Sequence, residues 1–419
     1  MKKLFEINLQ LFAASDYTPD YNPNTTSSGE ISAEFKTFYD KVLLKAAKPN
    51  LVHDQFGQER DIPKGGGKKI EFRKFEGLAK ALTPLTEGIP PKGKSLKVTS
   101  QEATLSQYGD YVAITDVVDL TAIDPVFAET VGIIGDQAGL TLDTITRNQL
   151  NSGTNVTFAS KWSGTTETEV TKRTDFDSTS VLKVDTINQV VAKLRSVNAK
   201  PFGGNCYVGV IHPQNAYELM RDPEWKYPHQ YADTENLYLG EIGKVGGVRF
   251  VETSEAKIFG ETLGLKINYV SGYSGEITSV AFDGKLPGDH SVIADELIGM
   301  GIRINGVVAK ITDNDTTSIT FAATDFGTIE DDDDIEILPC GVGAVYSTLI
   351  IGKDAYGKTS IEGGGLKTII KTEKEVGGPL EQFGTVGWKA MKTAKILMPD
   401  YLVRIESVSP RFSGTAKAN

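Results

Sequence analysis

Apolar and polar residues alternate at two places on either side of a turn-rich stretch. Ile70 and Phe72 mark one, Leu96 and Val98 the other, and Pro84 to Gly93 lies between them. The pattern predicts two strands joined as an extended hairpin over residues 57–100. With about 20 residues per limb at roughly 3.3 Å each, this arm would reach about 65 Å. A compact chain of this length has a radius of about 22 Å, so the arm outreaches its own globule. A lone two-stranded hairpin is marginal in water, and a neighbouring subunit is its simplest support.

Helical spacing appears elsewhere. Phe35, Phe38, Val42, Leu43 and Ala46 predict a helix over 31–47, with Ser32 as N-cap and Pro49 beyond its end. Asp124-Pro125 predicts the start of a long helix running to about Asn151, with Gly153 as a left-handed cap. Its apolar face is Phe127, Val131, Ile134, Ala138, Leu142 and Ile145. Gly132, Gly135 and Gly139 each cost about 1 kcal/mol against alanine, which predicts the close approach of another backbone. Residues 103–119 read as strand. A helix after Asp185, a strand at Cys206–Ile211, a helix opened by His212-Pro213 and a strand at Gly246–Val251 make one α/β unit. From 265 to 340 the texture changes to short strands and turns, with helical spacing only near Ile293–Met300. After Ala344 the pattern is all strand. Ile7, Leu9 and Leu11 alternate with polar residues, so the N-terminal stretch reads as strand and not as the continuous apolar run of a signal peptide.

Composition narrows the class. Charged residues at 24% and apolar ones at 39% suit a soluble globular protein of two or three domains. No run of eighteen apolar residues occurs, so no membrane span is expected. The formal charge of −11 argues against a general nucleic-acid binder. Yet between residues 60 and 100 ten basic residues face only Asp61, Glu71, Glu76 and Glu87, a surplus of six. The arm therefore calls for an acidic landing surface. Glu330 to Asp334 form an acidic run without the interspersed ligands and turn glycine of a calcium loop, so it reads as a solvated loop. Cys206 and Cys340 are expected to be reduced packing residues. Four histidines without metal-ligand spacing predict no zinc site.

Gly352 to Thr359, GKDAYGKT, matches the phosphate-loop pattern at every fixed position. A true phosphate loop runs into a helix at its Lys and Thr, whereas here Gly363, Gly364 and Gly365 follow. It is expected to be a strand-connecting loop. There is no nucleophile elbow, His212 before Pro213 reads as a turn or cap residue, and Phe72 and Phe75 read as hairpin-lining residues rather than base-stacking ones. No catalytic, cofactor or metal residue is assigned.

The order of elements resembles the major capsid proteins of tailed phages with the HK97-type fold, a family shared by podophage-type and Gram-positive-infecting phages. The resemblance rests on Leu85-Thr86-Glu87-Gly88, Gln107-Tyr108-Gly109, Asp116, Asp124-Pro125, Leu142-Asp143, Gly153-Thr154, Gly352 to Gly357 and Ile7 to Ala13. It spans roughly 1–260 and 341–410. It implies an α+β fold with an N-terminal arm and helix (1–56), an extended hairpin or E-loop (57–102) and a spine helix (124–152). It further implies a P-domain (103–177 with 351–410), an A-domain (178–350) and a C-terminal tail (411–419). The β-rich stretch 265–340 departs from the pattern and reads as an insertion in the A-domain, either a surface knob or an enlargement. The implied function is self-assembly as hexamers and pentamers into the icosahedral head around double-stranded DNA. Implied partners are scaffolding and portal proteins and a decoration protein, with no membrane and no cofactor. Assembly in the host cytoplasm and residence in the virion follow from the same resemblance. Lys68, Lys69, Arg73, Lys74, Leu85, Glu87, Lys92 and Lys94 are the implied intersubunit contacts. Two other classes stay open at this point, a nucleotide-binding protein using Gly352–Thr359 and a β-rich tail or surface-binding protein.

Overall fold

The structure is a computed structural model. It describes residues 51–60, 67–75, 93–121, 126–164, 166–225, 241–268, 275–359, 365–371 and 382–419, with positions 62, 78, 80–82 and 84. The expected strand near 7–11, the helix at 31–47 and the Asp124-Pro125 cap lie outside the described residues.

In chain order, β1 (Gln58–Glu59) leads to the hairpin strands β2 (Lys69–Phe75) and β3 (Val98–Thr104), and then to β4 (Ser106–Thr115). Helix α1 (Asp116–Thr121) takes the end of the stretch expected to be strand, with Asp116 Oδ1 accepting from the Val117 N–H at 2.8 Å. The long helix α2 (Val126–Asn151) buries Val131, Ile134, Ala138 and Leu142 against Ile114, Val386, Trp388 and Ala390. Two expectations for this helix need correction. Gly153 is not left-handed, and the last turn closes by Ser152 N–H donating to Asn148 O at 3.1 Å. A Cβ on Gly132 would meet nothing within 4 Å, so no backbone packs there.

Strands β5 (Val156–Phe158), β6 (Lys161–Ser163) and β7 (Thr166–Thr168) precede α3 (Val184–Ser196). Helix α3 begins one residue before Asp185, because its first N–H is capped from afar by Asp222 Oδ2 at 3.0 Å. Next come β8 (Tyr207–Ile211), α4 (Pro213–Arg221), β9 (Glu241–Val245), β10 (Val248–Glu252) and β11 (Ile258–Phe259). His212 caps α4 as expected, its side chain accepting from the Gln214 N–H at 3.2 Å.

The middle of the chain contributes β12 (Thr262–Ile267), β13 (Glu276–Gly284), β14 (Gly301–Ile304), β15 (Val307–Asn314), β16 (Ser318–Asp325) and β17 (Asp334–Leu338). These close into a barrel in the order β12-β13-β16-β15-β14-β17. Alternate residues point inward, among them Leu265, Ile267, Val280, Phe282, Ile302, Ile304, Ile335 and Ile337. Asn305 and Gly306, both at positive φ, make the two-residue turn between β14 and β15. The helical spacing at Ile293–Met300 forms turns instead. Asn314 takes the backbone groups of Ile293 and Leu297, and Glu296 accepts from Ile293 N–H, so these groups are lost to a helical ladder.

The chain returns through β18 (Val345–Ile351), β19 (Tyr356–Thr359), β20 (Lys367–Lys371), β21 (Phe383–Ile396) and β22 (Leu402–Ser407). One mixed sheet runs β5-β22-β18-β8-β10-β9, and β11 also pairs with β18. Strand β18 is buried at every residue, as a central strand covered on both faces requires. Ile350 packs toward α3 and α4, while Leu349 and Ile351 pack toward Leu150 of α2. A second sheet runs β1-β19-β21-β20, with β4 also paired to β21.

Candidate functional site

The arm begins as an antiparallel pair, Lys69↔Thr104 through Phe75↔Val98, so seven residues of each limb form the described ladder. At about 3.3 Å per residue that is roughly 23 Å. Its base rests on its own body. Ile70, Phe72, Ala103 and Leu105 are buried with Ile62 and pack against Met391 and Leu397. Beyond the base, residues 93–100 are all exposed. Leu78, Leu82, Leu96 and Val98 are 57%, 82%, 63% and 49% exposed, beside the exposed Lys80, Lys94 and Lys97. Among the described residues these apolar side chains find no cover.

Of the residues expected to make intersubunit contacts, Leu85, Glu87 and Lys92 lie outside the described residues, as does the side chain of Lys74. Lys68 and Lys94 are exposed on the arm. Lys69 already pairs with Glu102 across the ladder at 3.5 Å, and Arg73 with Glu71 at 3.1 Å. The Glu71 carboxyl is held below the usual range, first by a hydrogen bond from Ser100 and then by Arg73.

Polar contacts of His53, Asp54 and Glu59 fix the arm's root. His53 N–H donates to Asp143 Oδ1 at 2.8 Å, and its ring Nδ1 meets Oδ2 at 2.6 Å, both groups fully buried. This pins the segment before the arm to α2. The Tyr356 hydroxyl donates to the His53 carbonyl. Lys392 Nζ meets Asp54 Oδ1 at 2.7 Å, and Lys358 Nζ lies 3.8 Å from Asp54 Oδ2 and 3.6 Å from Glu59. Burial pulls the Lys392 ammonium pKa down although Asp54 opposes it.

The phosphate-loop pattern is absorbed here. Lys358 and Thr359 lie in β19, between β1 and β21, rather than at a helix start. The segment expected to be only a connecting loop is therefore half strand. Gly357 is a packing glycine, because a Cβ there would come within 2.6 Å of the Phe72 ring. Among the described residues no group of three or more His, Cys, Asp or Glu could hold a metal, and no helix is long and apolar enough to cross a membrane.

A face matching the arm lies on α2 and was missed in the sequence. Glu129, Ile133, Asp136 and Leu140, spaced four, three and four apart, fall on one side of the helix. All four are exposed, Ile133 at 68%. Asp110 of β4 sits alongside, accepting from Gln137 Nε2 at 2.8 Å. Tyr111 and, on α1, Val117 are 68% and 62% exposed. The stripe mixes acid with apolar surface where the arm mixes base with apolar surface. Its spacing is readable in the sequence, but the buried apolar face of the same helix gives the stronger periodic signal.

The fold is that of the HK97-type capsid proteins. The capsid structure of the cyanophage P-SCSP1u shares it with 15% identity over 85% of this chain and 88% of that chain, at a TM-score of 0.51. The phage capsid protein family matches residues 113–282. The family match covers part of the chain, from the end of β4 into the barrel, and the structural likeness carries the fold. Similar solved structures include the capsid of Ralstonia phage GP4, at 13% identity over 84% and 87% of the two chains with a TM-score of 0.47. The capsid asymmetric unit of cyanophage Pam1 matches at 10% over 94% and 98%, with a TM-score of 0.46. No curated protein matches the chain significantly.

Proposed function

We propose that copies of this chain assemble as hexamers and pentamers into an icosahedral head, each laying its arm on the α2 stripe of the next copy. The observation that carries this is the outer arm, which exposes Leu78, Leu82, Leu96 and Val98 among lysines. A second copy offers both complements at Glu129, Ile133, Asp136 and Leu140. Exposed ion pairs contribute only about 0–1 kcal/mol each; repeated around a shell they suffice, and they let a misplaced subunit leave. The arm and its intersubunit residues are read as the E-loop, α2 as the spine. The second sheet with 103–177 and 351–410 is read as the P-domain, residues 178–350 as the A-domain, and the barrel as its insertion. The role is structural rather than enzymatic. Double-stranded DNA fills the shell without sequence-specific contacts, scaffolding and portal proteins guide assembly in the host cytoplasm, and a decoration protein is a further partner.

Negative-stain microscopy of purified protein tests the contact. Reversing Glu129→Lys and Asp136→Lys together should lower the yield of shells or capsomers by about tenfold. Adding Lys94→Glu and Lys97→Glu should recover part of it. Undiminished shells from the first pair would overturn the landing site, and a protein that stays monomeric with scaffold present would overturn the capsid role.

A further inference from the structure

The barrel joins the rest of the chain through two connections, one leading into β12 and one leaving β17. The segment after β22 crosses both. Ser413 is fully buried, and its carbonyl accepts from the Ala344 N–H at 2.8 Å, on the leaving connection. Ala418 N–H donates to Glu261 at 3.1 Å, and the Asn419 amide bridges Ile258 N–H and Ala256 O at 2.9 Å each, on the entering one. Between them stands Arg303 of β14, 4% exposed. Its Nη1 donates to the carbonyls of Gly414 and Ala416, both at 3.1 Å. The same guanidinium pairs with Glu336 of β17 and, at 3.3 Å, with Glu261. One barrel side chain thus holds the crossing segment and both barrel ends.

Each connection also carries a glycine where the segment passes. A Cβ on Gly260 would come within 2.5 Å of Ala418 N, and one on Gly343 would fall on the Ser413 carbonyl. The space is reserved from both sides. Phe412 and Ala416 complete the seat, packed with Ile258, Ala344 and Tyr346.

We infer that residues 412–419 are a latch that fixes the barrel in one orientation on the main sheet. The barrel has its own core, so its fold does not need the latch. What the latch removes is rotation about the two connections. This goes beyond the assembly reading and is tested without shells.

Two variants serve, each compared with the full chain by amide hydrogen exchange on unassembled protein. One lacks residues 414–419. The other is Gly260→Leu, whose side chain would displace the segment while leaving every latch residue in place; Gly260 is not at positive φ, so the backbone accepts it. Exchange at 257–261 and 340–344 should quicken by about tenfold or more, as local opening does, while Ile302 and Ile337 in the barrel core change less than about twofold. Unchanged exchange at the connections would overturn the latch. So would a uniform rise across the barrel core, which would make the segment part of the barrel's fold.

Discussion

His212 shows at the scale of one residue how burial sets chemistry. It is 8% exposed, beside the Tyr346 ring at 5.4 Å, and burial depresses its pKa to about 4. Its Nδ1 must stay unprotonated to accept the Gln214 N–H that caps α4. The folded-state pKa lies below the unfolded value, so as pH falls below 6.5 the unfolded chain takes up the proton first. Stability should therefore drop between pH 6.5 and 4 by up to about 3 kcal/mol, and then level off. Asp315, held down to about 2 by the Thr317 and Ser318 N–H groups, loses its contribution only below about pH 4. Thermal unfolding of His212→Asn across this upper window should show a flattened slope, since Asn keeps a capping acceptor and does not titrate. A slope equal to that of the unaltered chain would assign it to another group.

At the scale of elements, the arm's anchor is Phe72 on Gly357. Phe72→Ala removes a ring that is 5% exposed, and a buried Phe→Ala change costs about 3–5 kcal/mol. The loss should appear as faster protease cleavage and amide exchange through β2 and β3, with β18 protection kept; unaltered arm exchange would show the anchor lies elsewhere. This contact also explains what the sequence could and could not reveal. Alternation at Ile70 and Phe72 is a local signal, and the hairpin follows from it. That Phe72 needs a glycine 285 positions later is a tertiary fact, and from sequence the glycine looked like half of a nucleotide motif. The barrel divides in the same way. Four of its strands stand out by their apolar alternation, but Gly301–Ile304 is too short to show alternation and is marked only by the Asn305-Gly306 turn, and Ile293–Met300 has helical spacing whose backbone groups Asn314 and Glu296 claim. The latch is not legible in the sequence, because it is held mostly through its own backbone groups, the Ser413, Gly414 and Ala416 carbonyls and the Ala418 N–H, which carry no residue signature.

Across the whole molecule, charge is divided as sharply as structure. Residues 262–338 hold fourteen acids against four bases, ten of the chain's eleven net negative charges. The rest of the chain is nearly neutral, with its basic surplus in the arm. Strands β12 and β17 pair side by side, Thr262 opposite Ile337, so the barrel's two ends are adjacent. Replacing 262–338 by a short glycine linker should leave a folded protein near charge −1, with the far-ultraviolet signature of the main sheet and greatly reduced migration toward the anode. Collapse of that protein would mean the barrel is part of the main fold and not a module set upon it.

The arm's footing has a mechanical consequence. Ile70 and Phe72 bear on Met391 and Leu397, and Trp388 and Ala390 of the same long strand bear on Val131 and Ile134 of α2. The described ladder of the arm is thus a cantilever with a clamped root. Force carried along that ladder passes to β21, and then to the helix beneath. In a shell, a tug between neighbours would be felt by α2 of each one.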